Sequence, residues 1–278
     1  MNVWHLPKPD LQKTLDDVDV FESLGIITSA ENPVLKQLVC DYDNQNAVLT
    51  QSQISTISTS TADKIRLNYN LTHKGRKLSA IRRDLFNNVP YNSYCPYCGI
   101  SEFKSLDHYM DKSTYGTMAL CRLNLVPMCM LCNGSKSTKP YTDFINPYYL
   151  LDPSVEFFIC TITVCGNDIV YGFSIKKGVF TNQQTSALEE QIKEIGLNKR
   201  WKKAAISYLQ ENLFCDYNTP QSLIASLPSL IQKRTNSNML NHWQTAVLRG
   251  LKQVINGNAA TAQKILDAVN NKAFQQGF

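Results

Sequence analysis

The sequence predicts an α+β protein. A small cysteine-clamped unit of two strands and a short helix is set between an N-terminal extension and a C-terminal β-hairpin followed by helices. Three observations predict it. Two Cys-x-x-Cys pairs, thirty residues apart, enclose two short extended runs. Two β-rich runs flank Cys165-Gly166-Asn167-Asp168, and apolar residues recur at helical spacing toward both ends of the chain. The 278 residues suffice for a hydrophobic core without disulfide staples, in one large domain or two small ones. The expected division is an acidic extension over 1–75, the cysteine-clamped domain over 76–150, and a hairpin and helical region over 151–278.

Taken in order, Leu11–Leu24 mixes apolar and acidic residues at helical spacing and reads as a short helix. Thr50–Thr61 is almost entirely Ser, Thr, Gln and Ile, and reads equally as an exposed loop or a polar edge strand. Lys77–Asn87 reads as a basic amphipathic helix. Val89 precedes a proline, which favours an extended chain there. Phe103–Leu106 and Arg122–Met128 read as extended runs. A short helix comes after Cys132, limited by Lys139-Pro140. Phe157–Val164 and Ile169–Ile175 read as a hairpin about a Gly-Asn turn. Thr181–Leu213 reads as helix, broken near Gly196-Leu197-Asn198. Pro220 and Pro228 punctuate the next stretch of chain, and Asn241–Ile255 and Ala259–Phe274 read as further helices.

Composition excludes some classes. With 43% hydrophobic and 18% charged residues the chain is ordinary for a globular protein, and no run of eighteen apolar residues suggests a membrane span. The first ten residues hold no apolar signal core, so the expected address is cytoplasmic and no membrane is expected as a partner. The net charge of +5 is unevenly spread. Residues 1–60 hold 3 Lys/Arg against 8 Asp/Glu, whereas residues 61–140 hold 12 against 5. The basic middle suits a polyanionic partner.

Nine cysteines, an odd number, argue against a disulfide framework. Cys95-Pro-Tyr-Cys98 and Cys129-Met-Leu-Cys132 instead have the spacing that closes a tetrahedral structural zinc site, with Gly99 permitting the tight turn after the second thiol. Between and just beyond the pairs stand Asp107-His108, Asn124, Asn133 and Lys136. Singly, each has a plainer reading, as a turn residue, a surface histidine or a solvated cation. Their joint placement is what points to chemistry.

Leu106-Asp-His108, Asn124-Leu-Val-Pro-Met-Cys129 and Cys132-Asn-Gly-Ser-Lys136 resemble the HNH endonuclease family, whose ββα-metal motif is often braced by two Cys-x-x-Cys pairs. The resemblance covers about fifty residues. It implies a metal-dependent endonuclease (a hydrolase of phosphodiesters, with DNA favoured) in which His108 is the general base. Asp107 and Asn133 would hold the catalytic Mg²⁺ or Mn²⁺, with Asn133 standing where the family's last letter has His. Asn124 would orient the base and hold its loop, and Lys136 would stabilise phosphate charge. These roles suit the chemistry: imidazole deprotonates water near neutral pH, and hard cations take oxygen ligands.

Arg82, Arg83, Lys104, Lys112, Arg122 and Lys139 are candidate phosphate contacts, and the tyrosines at 91, 94, 97, 109 and 115 read mainly as packing around the zinc motif. Phe144-Ile-Asn-Pro-Tyr-Tyr149 and Ile192–Asn198 are similar to HNH proteins encoded beside ATPases in bacterial anti-phage (antiviral) defence, of the Septu and retron type. In that group His-Pro-Tyr stands where this chain has Asn146-Pro147-Tyr148. That resemblance implies an ATPase partner. Two rival readings stay open: a nuclease cutting RNA, including tRNA, and a catalytically silent zinc-braced nucleic-acid-binding or scaffold protein.

Overall fold

The computed structural model describes residues 4–89, 94–149, 154–166 and 168–270. Among the described residues helices dominate, with two separate two-stranded antiparallel sheets, an α+β composition. Contacts divide it into one unit of Trp4–Tyr97 with Ser101–Leu151, and a second of Asp152–Phe278 with the turn Cys98–Ile100.

In the first unit, α1 (Leu11–Ser23) begins at Asp10, whose side chain accepts from the Lys13 amide and so satisfies one of the amides left open at a helix start. It buries Val18 and Phe21 against α2 (Asn32–Asn44), which has a proline in its first turn and buries Leu35, Leu38, Val39 and Tyr42. The stretch Thr50–Thr61, expected as loop or edge strand, is neither. It holds α3 (Gln51–Ile54) and the start of α4 (Thr59–Leu67). Thr50 closes a capping box with Gln53, and the Ser58 side chain accepts from the Thr61 amide. The hydroxyls that disfavour helix interiors here serve as helix starts. A 3-10 turn, Asn68–Thr72, leads on to α5 (Ser79–Asn87), which buries Ile81 and Leu85. Of the expected extended pair Val89-Pro90, the proline lies outside the described residues, as does Tyr91.

β1 (Ser105–His108) pairs with β2 (Leu125–Met128), Asp107 opposite Val126 and His108 opposite Leu125. The expected second run is strand only from Leu125, because Arg122–Asn124 forms a 3-10 turn. α6 (Met130–Lys136) comes next and ends at Ser137, which has φ +49°. Asn146 and Tyr148 are buried beneath β2: Asn146 Nδ2 donates to Leu123 O at 3.3 Å and the Tyr148 hydroxyl to Leu125 O at 2.8 Å.

In the second unit, β3 (Phe158–Cys165) and β4 (Asp168–Ile175) pair in register from Phe158↔Ile175 to Cys165↔Asp168. Asn167, half of the expected turn, lies outside the described residues; Gly166 has φ +62°, a conformation glycine takes without a Cβ penalty. Alternate residues of β4 are buried, as a one-sided sheet requires: Ile169, Tyr171, Phe173 and Ile175. The expected 181–213 helix is two, α7 (Asn182–Glu194) and α8 (Leu197–Tyr208), parted at left-handed Gly196 and continued by a π turn and the one-turn helix α9 (Phe214–Asp216). Trp201 of α8 sits 4.7 Å from the Phe158 ring. α10 (Pro220–Asn236) differs from expectation. Pro220 occupies its first turn, but Pro228 lies inside it on the exposed face, where water can serve the carbonyl left without a donor. α11 (Trp243–Ile255) lies across β3, and α12 spans Ala259–Asn270. No helix among the described residues is long and apolar enough to cross a membrane.

Candidate metal centre and adjoining pocket

The four cysteines of the two pairs are all buried, and their sulfurs lie within 4.8 Å of one another. Tetrahedral zinc–thiolate bonds of about 2.3 Å place sulfurs roughly 3.8 Å apart, so this cluster can hold a structural zinc. The local backbone is arranged for thiolates. The Ile100 amide donates to Cys98 Sγ at 3.4 Å, and the Cys132 amide to Cys129 Sγ at 3.4 Å. Gly99, at φ +63°, makes the turn that aims the first of these amides. Cys121, close in sequence, is not in the cluster; it is a buried thiol whose pKa burial pushes up to about 12.

Beside the cluster, a pocket of about 310 Å³ is lined by Tyr69, Asp107, His108, Asp111, Lys112 and Asn133, among others. Asp107 and His108 are neighbours on β1, and Asn133 comes from α6, so the strand-to-helix packing assembles the group. Adjacent strand residues ordinarily face opposite ways; here His108 ends the strand and both line the same pocket. Asn133 Nδ2 donates to Ser105 Oγ at 3.0 Å, which fixes the amide plane across the helix–strand junction.

Asp107 is only 4% exposed. Burial raises its pKa to about 6 against the opposing pull of Lys136, whose ammonium lies 3.0 Å from Oδ2. The same ammonium donates to the His108 carbonyl at 2.8 Å. The His108 ring packs 4.5 Å from Tyr69, and its Nε2 is 3.1 Å from the Ala119 carbonyl. A carbonyl only accepts, so Nε2 carries the proton and Nδ1 keeps the basic lone pair. Burial, with the nearby Lys112 charge, lowers the ring pKa to about 3 and keeps it neutral.

Asn124 is fully buried beneath the pocket. Its Oδ1 accepts from the Met110 amide at 2.8 Å and the Tyr42 hydroxyl at 3.1 Å, and its Nδ2 donates to the Met110 and Met118 carbonyls at 3.1 Å. It ties together the loop that carries the Ala119 carbonyl.

Two expected phosphate contacts lie elsewhere. Lys136 is 0% exposed, so it cannot reach a phosphate outside; it neutralises Asp107 from within. Arg122 is 5% exposed, and its guanidinium clasps Asp17 at 2.5 Å and Asp84 at 3.1 Å inside the fold. Both are cations whose burial arises from acidic partners distant in sequence, which spacing does not reveal. Arg83 is exposed beside Asp84, Arg82 is half-buried with Nη2 on the Lys104 carbonyl at 3.0 Å, and Lys139 lies just past α6, its amide donating to Lys136 O at 3.0 Å. Tyr69 is a pocket residue that the sequence does not announce. It comes from a 3-10 turn more than thirty residues before His108, and no periodicity or motif marks it.

No family model matches the chain, and no curated protein and no solved structure is similar to it at a significant level.

Proposed function

We propose that the chain is a metal-dependent endonuclease of the HNH type, with β1, β2 and α6 forming its ββα-metal motif and DNA as its substrate. One observation carries the reading: Asp107, His108 and Asn133, brought from β1 and α6, line one pocket beside a four-cysteine cluster. The Asp107 carboxylate and the Asn133 amide oxygen are ligands of the kind a hard divalent ion takes. Bound there, Mg²⁺ or Mn²⁺ would supply Lewis-acid stabilisation of the departing 3′-oxygen. His108, neutral and with Nδ1 as its unprotonated ring nitrogen, takes the proton of the attacking water as its oxygen bonds to phosphorus and the bond to the 3′-oxygen breaks. Lys136 keeps Asp107 ionised in a buried site, and Asn124 holds the loop whose Ala119 carbonyl sets the His108 tautomer.

The test is cleavage of plasmid DNA and of a structured RNA with Mg²⁺, Mn²⁺ or EDTA, parent against His108→Ala. The expected outcome is metal-dependent cutting of DNA that falls by about 10²–10⁴-fold in the variant, the usual contribution of a general base. Equal cutting by both proteins would exclude His108 as the base. Folded, zinc-loaded parent that binds nucleic acid without cutting would support the silent binding module instead.

A further inference from the structure

A second concavity, of about 510 Å³, lies on the same unit and is lined by Thr72, Lys74, Ser79, Arg82, Arg83 and Phe86, with other small or polar residues. Every charged group lining it is cationic. Its flat surfaces are preorganised: the Arg82 guanidinium sits 4.8 Å over the Phe86 ring and is held by the Lys104 carbonyl, and Phe86 stacks on Phe103 with ring centres 5.4 Å apart. Cations with a half-buried aromatic ring suit a ligand that has both a phosphate chain and flat apolar faces, which is a single nucleic-acid strand. The volume admits a nucleoside-sized group, and a base still stacked in a duplex could not enter it.

The groove also lies next to the candidate site. In the 3-10 turn Asn68–Thr72, Tyr69 lines the Asp107–His108 pocket and Thr72 lines the groove, its hydroxyl bonded to the Tyr69 carbonyl at 2.8 Å. Three residues of 3-10 helix rise about 6 Å.

We propose that this groove is a subsite for an unpaired nucleotide of the substrate strand, flanking the phosphate that enters the Asp107–His108 pocket. The inference rests on the nuclease reading for its substrate class and gives the enzyme a preference for single-stranded or locally opened nucleic acid.

The experiment is fluorescence anisotropy of a labelled oligo(dT) and of a blunt duplex of equal length, in EDTA so that no cleavage intervenes. The proteins are the parent, Phe86→Leu, Phe86→Tyr and Arg83→Ala, each checked for parental circular dichroism. The parent should bind the single strand at least tenfold more tightly. Phe86→Leu should lose about tenfold on the single strand and nothing on the duplex, with Phe86→Tyr restoring it. Arg83→Ala should weaken both and lower the salt slope by about one. Single-strand binding unchanged in Phe86→Leu would overturn the subsite. Failure of the two readings is separable. Metal-dependent cutting without a Phe86 effect sinks the subsite alone, whereas Phe86-dependent binding without cutting sinks the nuclease alone.

Discussion

Lys136 and Asp107 form a buried pair in which removing one charge should cost far more than removing both. A carboxylate buried without its counter-ion typically costs about 3–5 kcal/mol, whereas an apolar or neutral replacement of both partners is often nearly neutral. Lys136→Met should therefore lower the urea midpoint strongly. The double variant Lys136→Met/Asp107→Asn should recover most of the loss, a coupling that equilibrium unfolding measures directly. Additive losses would mean that Lys136 matters through its packing on Phe144, over which its ammonium lies at 5.5 Å, rather than through Asp107. His108→Ala belongs to the same scale but to a different property. Its ring bonds to the Ala119 carbonyl rather than to a charged partner, and its loss should appear in cleavage.

At the level of elements, α11 packs closely on β3 in the second unit. A Cβ added at Gly250 would meet the Cys160 carbonyl oxygen at 2.4 Å and its carbon at 3.3 Å, both backbone atoms that cannot swing aside. Gly250→Ala would ordinarily gain helix propensity, up to about 1 kcal/mol. Here the clash should prevail and destabilise by about 1–3 kcal/mol, the usual cost of overpacking. A higher melting temperature for this variant would show that the helix can lift from the sheet without penalty. α4 stands in a similar relation to Gly116, where an added Cβ would lie 2.8 Å from the Ala62 carbonyl oxygen.

Two predictions concern the whole molecule. The first is that Cys129→Ser loses bound zinc and, with it, cooperative folding of the region around β1, β2 and α6, because structural zinc supplies folding energy directly. Metal analysis beside circular dichroism checks it; full zinc stoichiometry in the variant would refute the four-cysteine assignment. The second is acid sensitivity through His242. Its Nε2 lies 3.0 Å from the Gly99 carbonyl and its Nδ1 accepts from the Gln244 amide at 3.2 Å, so the neutral ring starts α11. Burial first, then Arg234, lowers its pKa to about 3 from an ordinary 6.5. In that window the unfolded chain binds a proton that the folded chain does not, so stability falls as pH drops from about 6.5 toward 3. The slope approaches about 1.4 kcal/mol per pH unit per site. Urea unfolding at stepped pH of parent and His242→Asn should show a shallower slope in the variant.

How much of the fold and site is legible in the chain differs from residue to residue. The cysteine pairs, the Asp107-His108 step, the Gly166 turn and the periodicity of Leu11–Leu24 and Asn241–Ile255 are short-range patterns, and such patterns survive in the sequence because local backbone geometry sets them. Thr50–Thr61 misleads because its hydroxyls read as loop until their amide partners three residues on are seen. Pro228 misleads because tolerance of a helix proline depends on which face meets water. Lys136 and Arg122 have the look of phosphate-binding cations, but Arg122 meets Asp17 across 105 residues and Lys136 is 0% exposed. By itself, then, the sequence determined the cysteine cluster, the β3–β4 hairpin and the helices near Leu11–Leu24 and Asn241–Ile255. Only the tertiary structure decided which cations are buried counter-ions, where Tyr69 stands, and that a cationic aromatic groove adjoins the pocket. Burial and charge pairing depend on elements far apart in the chain meeting in space, and no local spacing encodes that meeting.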